Sequence, residues 1–308
     1  MFTYFLCTLG LKRQVYQMAD TNETNSRSCR FLGEAYFDQL YDTFIEAFSD
    51  YVFPFALTKE QFRNHLNLNG VDLDRTIGCL EGRRLVGFSL NGFGDWKGAS
   101  TVYDAGTGVI PDARRRGVSE AMFHEMMPAF SRTGVKQCLL EVITTNVGAV
   151  RLYEKLGFKR TRELSLMQCD KPITSTPPSN AEIRRIDTPD WERMATFWSG
   201  DPSWQNSIPA MRRSIAMKSF LGAYVNGELV GYIASSATFG RIAQIAVSHD
   251  HRNKGVGTAL LRRTQEETLS GYSLQVINVD KNLTETTAFL QRRGFYERLA
   301  QHEMLAPI

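Results

Sequence analysis

At 308 residues the chain has room for two domains of about 130 to 140 residues each. A hydrophobic content of 43% and a charged content of 22% exclude a disordered or fibrous chain, and a formal charge of +3 is too small to argue for nucleic acid. Cys7, Cys29, Cys79, Cys138 and Cys169 are odd in number and hold no Cys-x-x-Cys pair, which argues against a disulfide framework or zinc site and fits a reducing cytoplasm.

The opening 1–11 is apolar but far short of about 20 spanning residues, and it has no basic leader, so no membrane anchor is expected. Residues 19–28 are polar and low in complexity, and Met18 offers an alternative start. Disorder is therefore expected over 1–28, with a first domain over 29–169. Phe31-Leu32 reads as a strand, and Phe37, Leu40, Tyr41, Phe44, Ile45 and Phe48 recur at helical spacing as a core face. Tyr51, Phe53 and Phe55 follow in a loop, and Thr58 with Gln61 makes a capping box for a second helix. The segment Asn91 to Gly98 is glycine-rich and holds Trp96, expected to be exposed. It reads either as a surface excursion or as the rim of an acceptor site. Asp170 to Asn180, with Pro172, Pro177 and Pro178, breaks all periodicity and reads as a linker before a second domain over 181–308.

One motif occurs twice, with its glycines 138 residues apart: Arg114-Arg115-Arg116-Gly117-Val118-Ser119 and Arg252-Asn253-Lys254-Gly255-Val256-Gly257. Each follows an apolar strand, ending in Val109-Ile110 or Ala246-Val247, and each opens a helix. A basic, glycine-containing turn at a helix N-terminus aims free N–H groups and the positive end of the helix dipole at an anion, and glycine permits close approach. The flanks repeat in order. Gly87 in its hairpin matches Gly231, and Gly157-Phe158 matches Gly294-Phe295, which lie 40 and 39 residues beyond their turn glycines. The chain is therefore a duplicated unit.

The paired turns, together with Asn146…Ala149…Tyr153-Glu154-Lys155-Leu156-Gly157-Phe158, resemble the GNAT acyltransferase superfamily over nearly the whole chain. That resemblance implies an α/β (α+β) fold of two tandem domains, each a mixed, mostly antiparallel sheet flanked by helices and splayed at a coenzyme A site. It also implies acetyl-CoA as acyl donor and direct N-acetylation of a small amine or amino-acid-like acceptor in a ternary complex. Rival readings are acetylation of a protein or peptide, and a second unit that only binds acyl-CoA or serves as a structural copy. No metal, nucleic acid or membrane partner is expected, and the protein would be a cytoplasmic monomer or homodimer.

The donor cradle is read as Val109, Ile110, Arg114, Arg115, Arg116, Gly117, Val118 and Ser119 in the first unit. In the second it is Ala246, Val247, Arg252, Asn253, Lys254, Gly255, Val256, Gly257 and Thr258. Arg262-Arg263 and Arg292-Arg293 read as solvated surface. By resemblance Tyr153 is the acid that protonates departing coenzyme A; its counterpart Leu290 has no proton to give. Asp104, matched by Ile242, is open between general base, ammonium binder and a cap for the Gly106-Thr107-Gly108 bend. Asn146 is read as a coenzyme A contact or a tie across the strand split. Glu141 and Asp280 end the fifth strands of different units, so they read poorly as an acid pair. Turnover is accordingly expected in residues 30–169.

Overall fold

The computed structural model describes residues 27–50, 57–174 and 179–308. The expectations placed on Cys7, Met18, Tyr51, Phe53, Phe55 and the middle of the linker lie outside those residues. No helix among the described residues is long and apolar enough to cross a membrane.

The first unit runs β1 (Arg27–Phe31), α1 (Phe37–Ala47), α2 (Lys59–Asn69), β2 (Ile77–Glu81), β3 (Arg84–Trp96), β4 (Ala99–Val109), α3 (Val118–Arg132), β5 (Gln137–Ile143), α4 (Val147–Lys155) and β6 (Lys159–Cys169). The second repeats the plan: β7 (Glu182–Arg185), α5 (Trp191–Ala195), α6 (Ile208–Arg213), β8 (Ser219–Val225), β9 (Glu228–Ser236), β10 (Arg241–Val247), α7 (Val256–Glu267), β11 (Leu274–Asp280), α8 (Thr284–Gln291) and β12 (Tyr296–Pro307). Local chemistry explains the starts. Thr58 and Gln61 close a reciprocal capping box on α2, and Asp190 caps α5 through the Arg193 N–H. α1 buries Phe37, Leu40 and Phe44, the face its spacing implies.

Among the described residues twelve strands form one sheet in the order β1-β2-β3-β4-β5-β12-β6-β11-β10-β9-β8-β7. Only β4 with β5 and β10 with β11 run parallel; the other pairs are antiparallel. The order shows what the duplication alone does not. The last strand of each unit pairs with the other unit: β12 lies between β5 and β6, and β6 lies between β12 and β11. The halves share a sheet through exchanged strands, each over its own apolar core.

The glycine-rich hairpin of β3 and β4 docks on the second unit. Trp96 is buried, only 8% exposed, against Trp204, which also stacks on Tyr103 at 5.1 Å and donates its indole N–H to the Asn69 carbonyl. A Cβ on Gly94 would lie 3.0 Å from the Trp204 ring, and one on Gly92 would lie 2.2 Å from the Asn69 carbonyl oxygen. The expected exposure of Trp96 is thus corrected. The glycines of this hairpin let another backbone and an indole come close, and the apolar ring is covered by the seam.

Candidate functional site

The two basic turns have one backbone. Arg115 and Asn253 are left-handed at φ 60 and 59, Gly117 and Gly255 at φ 75 and 79, and each glycine is a helix N-cap with no side-chain cap. The helix-start N–H groups therefore have no side-chain acceptor. Val118 and Val256 seat the helices against Gly87 and Gly231, where a Cβ would meet them at 2.7 and 3.2 Å. The leading arginines are equivalent buttresses. Arg114 donates to the Val109 carbonyl at 3.1 Å and the Ala47 carbonyl at 2.8 Å; Arg252 donates to the Val247 carbonyl at 3.1 Å and the Phe197 carbonyl at 3.2 Å. Each ties the turn to the loop opposite it, so its guanidinium shapes the cradle.

Their electrostatics differ. In the first unit Arg114 pairs with Asp50 at 2.6 Å, Arg116 with Glu81 at 2.9 Å and Lys155 with Glu120 at 2.7 Å, and Arg27 donates to the Arg116 carbonyl. In the second, Arg252 has only Glu285 at 3.9 Å, and Lys254, Arg292 and Arg293 have no ion pair among the described residues. Arg293 donates to the Thr258 hydroxyl at 3.0 Å and lies 4.8 Å from the Phe289 ring, and burial beside Arg292 lowers its pKa. Arg292 is exposed, as its reading as solvated surface implies, Arg293 is half-buried, and both line the cavity beside the cradle. Sequence spacing missed them because their first-unit counterparts, Lys155 and Leu156, mark no site.

That cavity, of about 710 Å³, belongs to the second unit. One end is the cradle, lined by Arg252, Asn253 and 255–258. The middle is the split between β10 and β11, lined by 243–247 and 276–280. The far end is the loop 197–202 with Asn206 and Tyr232. Every second-unit cradle residue named from sequence lines it except Lys254. The split arises because β10 pairs with β11 only through Arg241 and Ile242, so the edge beyond carries unpaired backbone groups. At the far end the Trp198 indole donates to the Tyr232 hydroxyl at 2.6 Å, and that hydroxyl donates to Gln244 at 2.9 Å. Burial pushes the Tyr232 phenol up to about 12, keeping it neutral.

In the first unit the corresponding split begins beyond Asp104. Asp104 accepts from the Gly106 N–H at 3.0 Å, the Thr107 hydroxyl at 2.8 Å and the Tyr153 hydroxyl at 3.4 Å. Of its three open roles, the geometry displays the cap of the bend. Burial pushes its carboxyl up to about 6 against the pull of Thr107 and Gly106, and burial, then the neighbouring Asp104, raises the Tyr153 phenol. Tyr153 packs edge-on to Phe123 and Phe158. Asn146 accepts from the Ala149 N–H at 3.2 Å as the N-cap of α4, a role outside both readings offered for it. His65 donates Nε2–H to the Ala105 carbonyl at 3.2 Å, since a carbonyl only accepts, and its burial lowers its pKa.

Comparison with known proteins agrees with this architecture. The model of the acetyltransferase (GNAT) family matches residues 33–158, and that of the acetyltransferase (GNAT) domain matches residues 217–299. The chain belongs to the GNAT acetyltransferase family, in two tandem copies. A tandem GNAT protein from the clavulanic acid biosynthesis pathway shares the fold with a TM-score of 0.70 at 17% identity, over 92% of this chain and 98% of that one. A GCN5-related N-acetyltransferase from Sphaerobacter thermophilus does so with a TM-score of 0.67 at 15% identity, over 91% and 95%. In sequence, the [ribosomal protein bS18]-alanine N-acetyltransferase of Escherichia coli is 30% identical over 92 residues, 28% of this chain; the match spans 62% of that relative.

Within the tandem GNAT chain the exchanged strands gather charges that sequence reasoning kept apart. Arg162 on β6 donates to Glu303 on β12 at 2.8 Å and to Asp280 on β11 at 3.3 Å, and Glu303 faces Glu141 across the β12–β5 register. Arg162 and Glu303 carry no motif. Only the exchange places them.

Proposed function

We propose that the second unit holds acetyl-CoA and transfers its acetyl group to a primary amine. The observation that carries this reading is the cavity of about 710 Å³ that runs from a cradle flanked by Arg292 and Arg293, which hold no ion pair among the described residues, through the split sheet, to a walled far end. Its size is that of a small-molecule site, about 300–1,000 Å³. The free N–H groups at Gly255 to Thr258, with Lys254, Arg292 and Arg293, would take the phosphates, and the unpaired edge of β10 would take the pantetheine amides. This departs from the expectation of turnover in residues 30–169, which rested on Tyr153 and on the lack of a proton donor at Leu290.

In the reaction the neutral amine attacks the thioester carbonyl and a C–N bond forms. The tetrahedral intermediate collapses with loss of the C–S bond, and the proton shed by the amine leaves on the coenzyme A thiol, giving amide and free thiol. Unpaired β10 backbone N–H groups are the oxyanion donors. Leu290 supplies no acid, so the proton reaches sulfur through water. The acceptor end, walled by Trp198, Pro202 and Tyr232, suits a small amine or amino-acid-like acceptor. A protein N-terminus is the competing acceptor, favoured by the relative that acetylates alanine of a ribosomal protein.

A second reading keeps turnover in the first unit, carried by the Tyr153–Asp104 contact at 3.4 Å. Release of free thiol from acetyl-CoA, measured with a panel of small amines and a panel of peptides with free N-termini, tests the function. Thiol release with small amines supports the preferred reading, release with peptides alone transfers it to protein acceptors, and no release with either removes it.

A further inference from the structure

Arg162 stands on β6, a strand of the first unit, yet its side chain is only 7% exposed and is spent almost wholly on the second. Its guanidinium donates to the Asp201 carbonyl at 2.6 Å and the Pro202 carbonyl at 3.2 Å, and pairs with Asp280 at 3.3 Å and Glu303 at 2.8 Å. Asp201 and Pro202 line the cavity at its far end, and Asp280 lines its middle. A buried guanidinium is costly unless it is paired, and here both terminal nitrogens are met, by the carboxylates of Asp280 and Glu303 and by two main-chain carbonyls of the cavity wall, while Nε has no partner. Thr161 completes the set by donating to the other oxygen of Glu303 at 2.8 Å.

The wall it holds, 197–206, contains no long helix or strand of its own. The second unit moors it through Arg252 on the Phe197 carbonyl at 3.2 Å, Asn278 on the Ser203 hydroxyl at 3.0 Å and Asn206 on the Ile277 carbonyl at 2.9 Å, while from the first unit the Asn69 carbonyl accepts from Trp204 and Lys97 reaches Asp201 at 3.5 Å. The arrangement is one-sided. The residue of β12 at the same distance from its Gly-Phe pair is Leu299, which carries no guanidinium.

We propose that Arg162 is a positioning residue for the acceptor end of the second site, supplied across the exchanged strands by the first unit. The proposal rests on the second cavity being the acyl-transfer site. Arg162 touches neither the cradle nor the β10 edge, so it acts on acceptor placement and leaves donor binding alone. A displacement of about 1 Å in such a wall costs on the order of 100-fold in rate.

The test uses the full-length protein with Arg162→Gln and Arg162→Lys. Amide hydrogen exchange is followed over 197–206 and over 252–263, acetyl-CoA affinity is measured by titration calorimetry, and KM and kcat are measured with the amine that the panel selects. The expected result is exchange at least tenfold faster in 197–206 with 252–263 unchanged, acetyl-CoA Kd within twofold of wild type, and kcat/KM for the amine down tenfold or more. Arg162→Lys keeps a charge for Glu303 without the fork that reaches the loop, and is expected to show the same loss in a stable fold. It carries the comparison should Arg162→Gln not fold. Unchanged exchange in 197–206, or equal loss of protection in both segments, would overturn the proposal. Loss of acetyl-CoA binding in Gly117→Val but not in Gly255→Val would instead remove the underlying reading, while the exchange comparison would still decide what Arg162 holds.

Discussion

Glu141 of β5 and Glu303 of β12 face each other across the antiparallel register, both buried, and of the two only Glu303 holds an ion pair with a guanidinium. Glu141 keeps one hydrogen bond, from the Tyr103 hydroxyl at 2.6 Å, and its other oxygen has no partner. Burial pushes its carboxyl up to about 7, Tyr103 and Arg162 pull it down, and Glu303 pushes it further up. A carboxyl raised in the folded state from its usual 4.5 contributes stability below about pH 4.5, and that contribution is lost as pH rises to about 7. Glu141→Gln keeps the acceptor for Tyr103 and removes the charge. The variant is expected to match wild type near pH 4.5 and to exceed it by ~1–3 kcal/mol above pH 7 in urea unfolding. A variant less stable than wild type at pH 8 would show that the ionised carboxylate is wanted at the seam.

The unpaired cations make a second prediction. Arg292→Ala with Arg293→Ala is expected to weaken acetyl-CoA binding ten- to a hundredfold, as loss of about 1.5–3 kcal/mol of charge-assisted hydrogen bonding implies. Lys155→Ala, at the matched position of the first unit, already pairs with Glu120 and is expected to change binding less than twofold. Titration calorimetry at fixed ionic strength distinguishes them.

Tyr153→Phe removes the hydroxyl that reaches Asp104. With transfer in the second unit, kcat is expected to stay within twofold of wild type. A fall of tenfold or more with acetyl-CoA affinity unchanged would mark the phenol as an acid used in the transition state and return catalysis to the first unit.

The seam makes a fourth. A Cβ at Gly92 would stand 2.2 Å from the Asn69 carbonyl oxygen, with no flexible side chain to yield. Gly92→Ala is expected to cost about 1–3 kcal/mol by overpacking and to lower Tm. Gly98→Ala, where φ is 79 but nothing lies within 4 Å of the added carbon, carries only the backbone strain.

Much of the fold was legible because it is local. The capping box of Thr58 and Gln61, the face of α1 and the duplicated turns are written in spacing, and glycine or asparagine at φ near +60 to +80 marks three of the four left-handed turn positions. Arg115 is the exception at φ 60. The strand exchange was not legible, because β6 and β12 carry equivalent patterns and either could close either sheet. From that follow the buried Trp96, the gathering of Glu141, Asp280, Glu303 and Arg162, and the role of the 91–98 hairpin as a dock. From sequence the choice of unit rested on one side chain, Tyr153, whereas the proposal for the second unit rests on which cations are already paired. Pairing is set by residues distant in sequence, such as Asp50 and Glu81.

The most direct test is calorimetric titration of acetyl-CoA into Gly255→Val and Gly117→Val. Both glycines are left-handed helix N-caps, at φ 79 and 75, so the two substitutions impose matched strain, and each puts a branched side chain where the pyrophosphate would lie. The account predicts that Gly255→Val abolishes binding while Gly117→Val retains it within a few-fold. Binding lost in Gly117→Val and kept in Gly255→Val would contradict it.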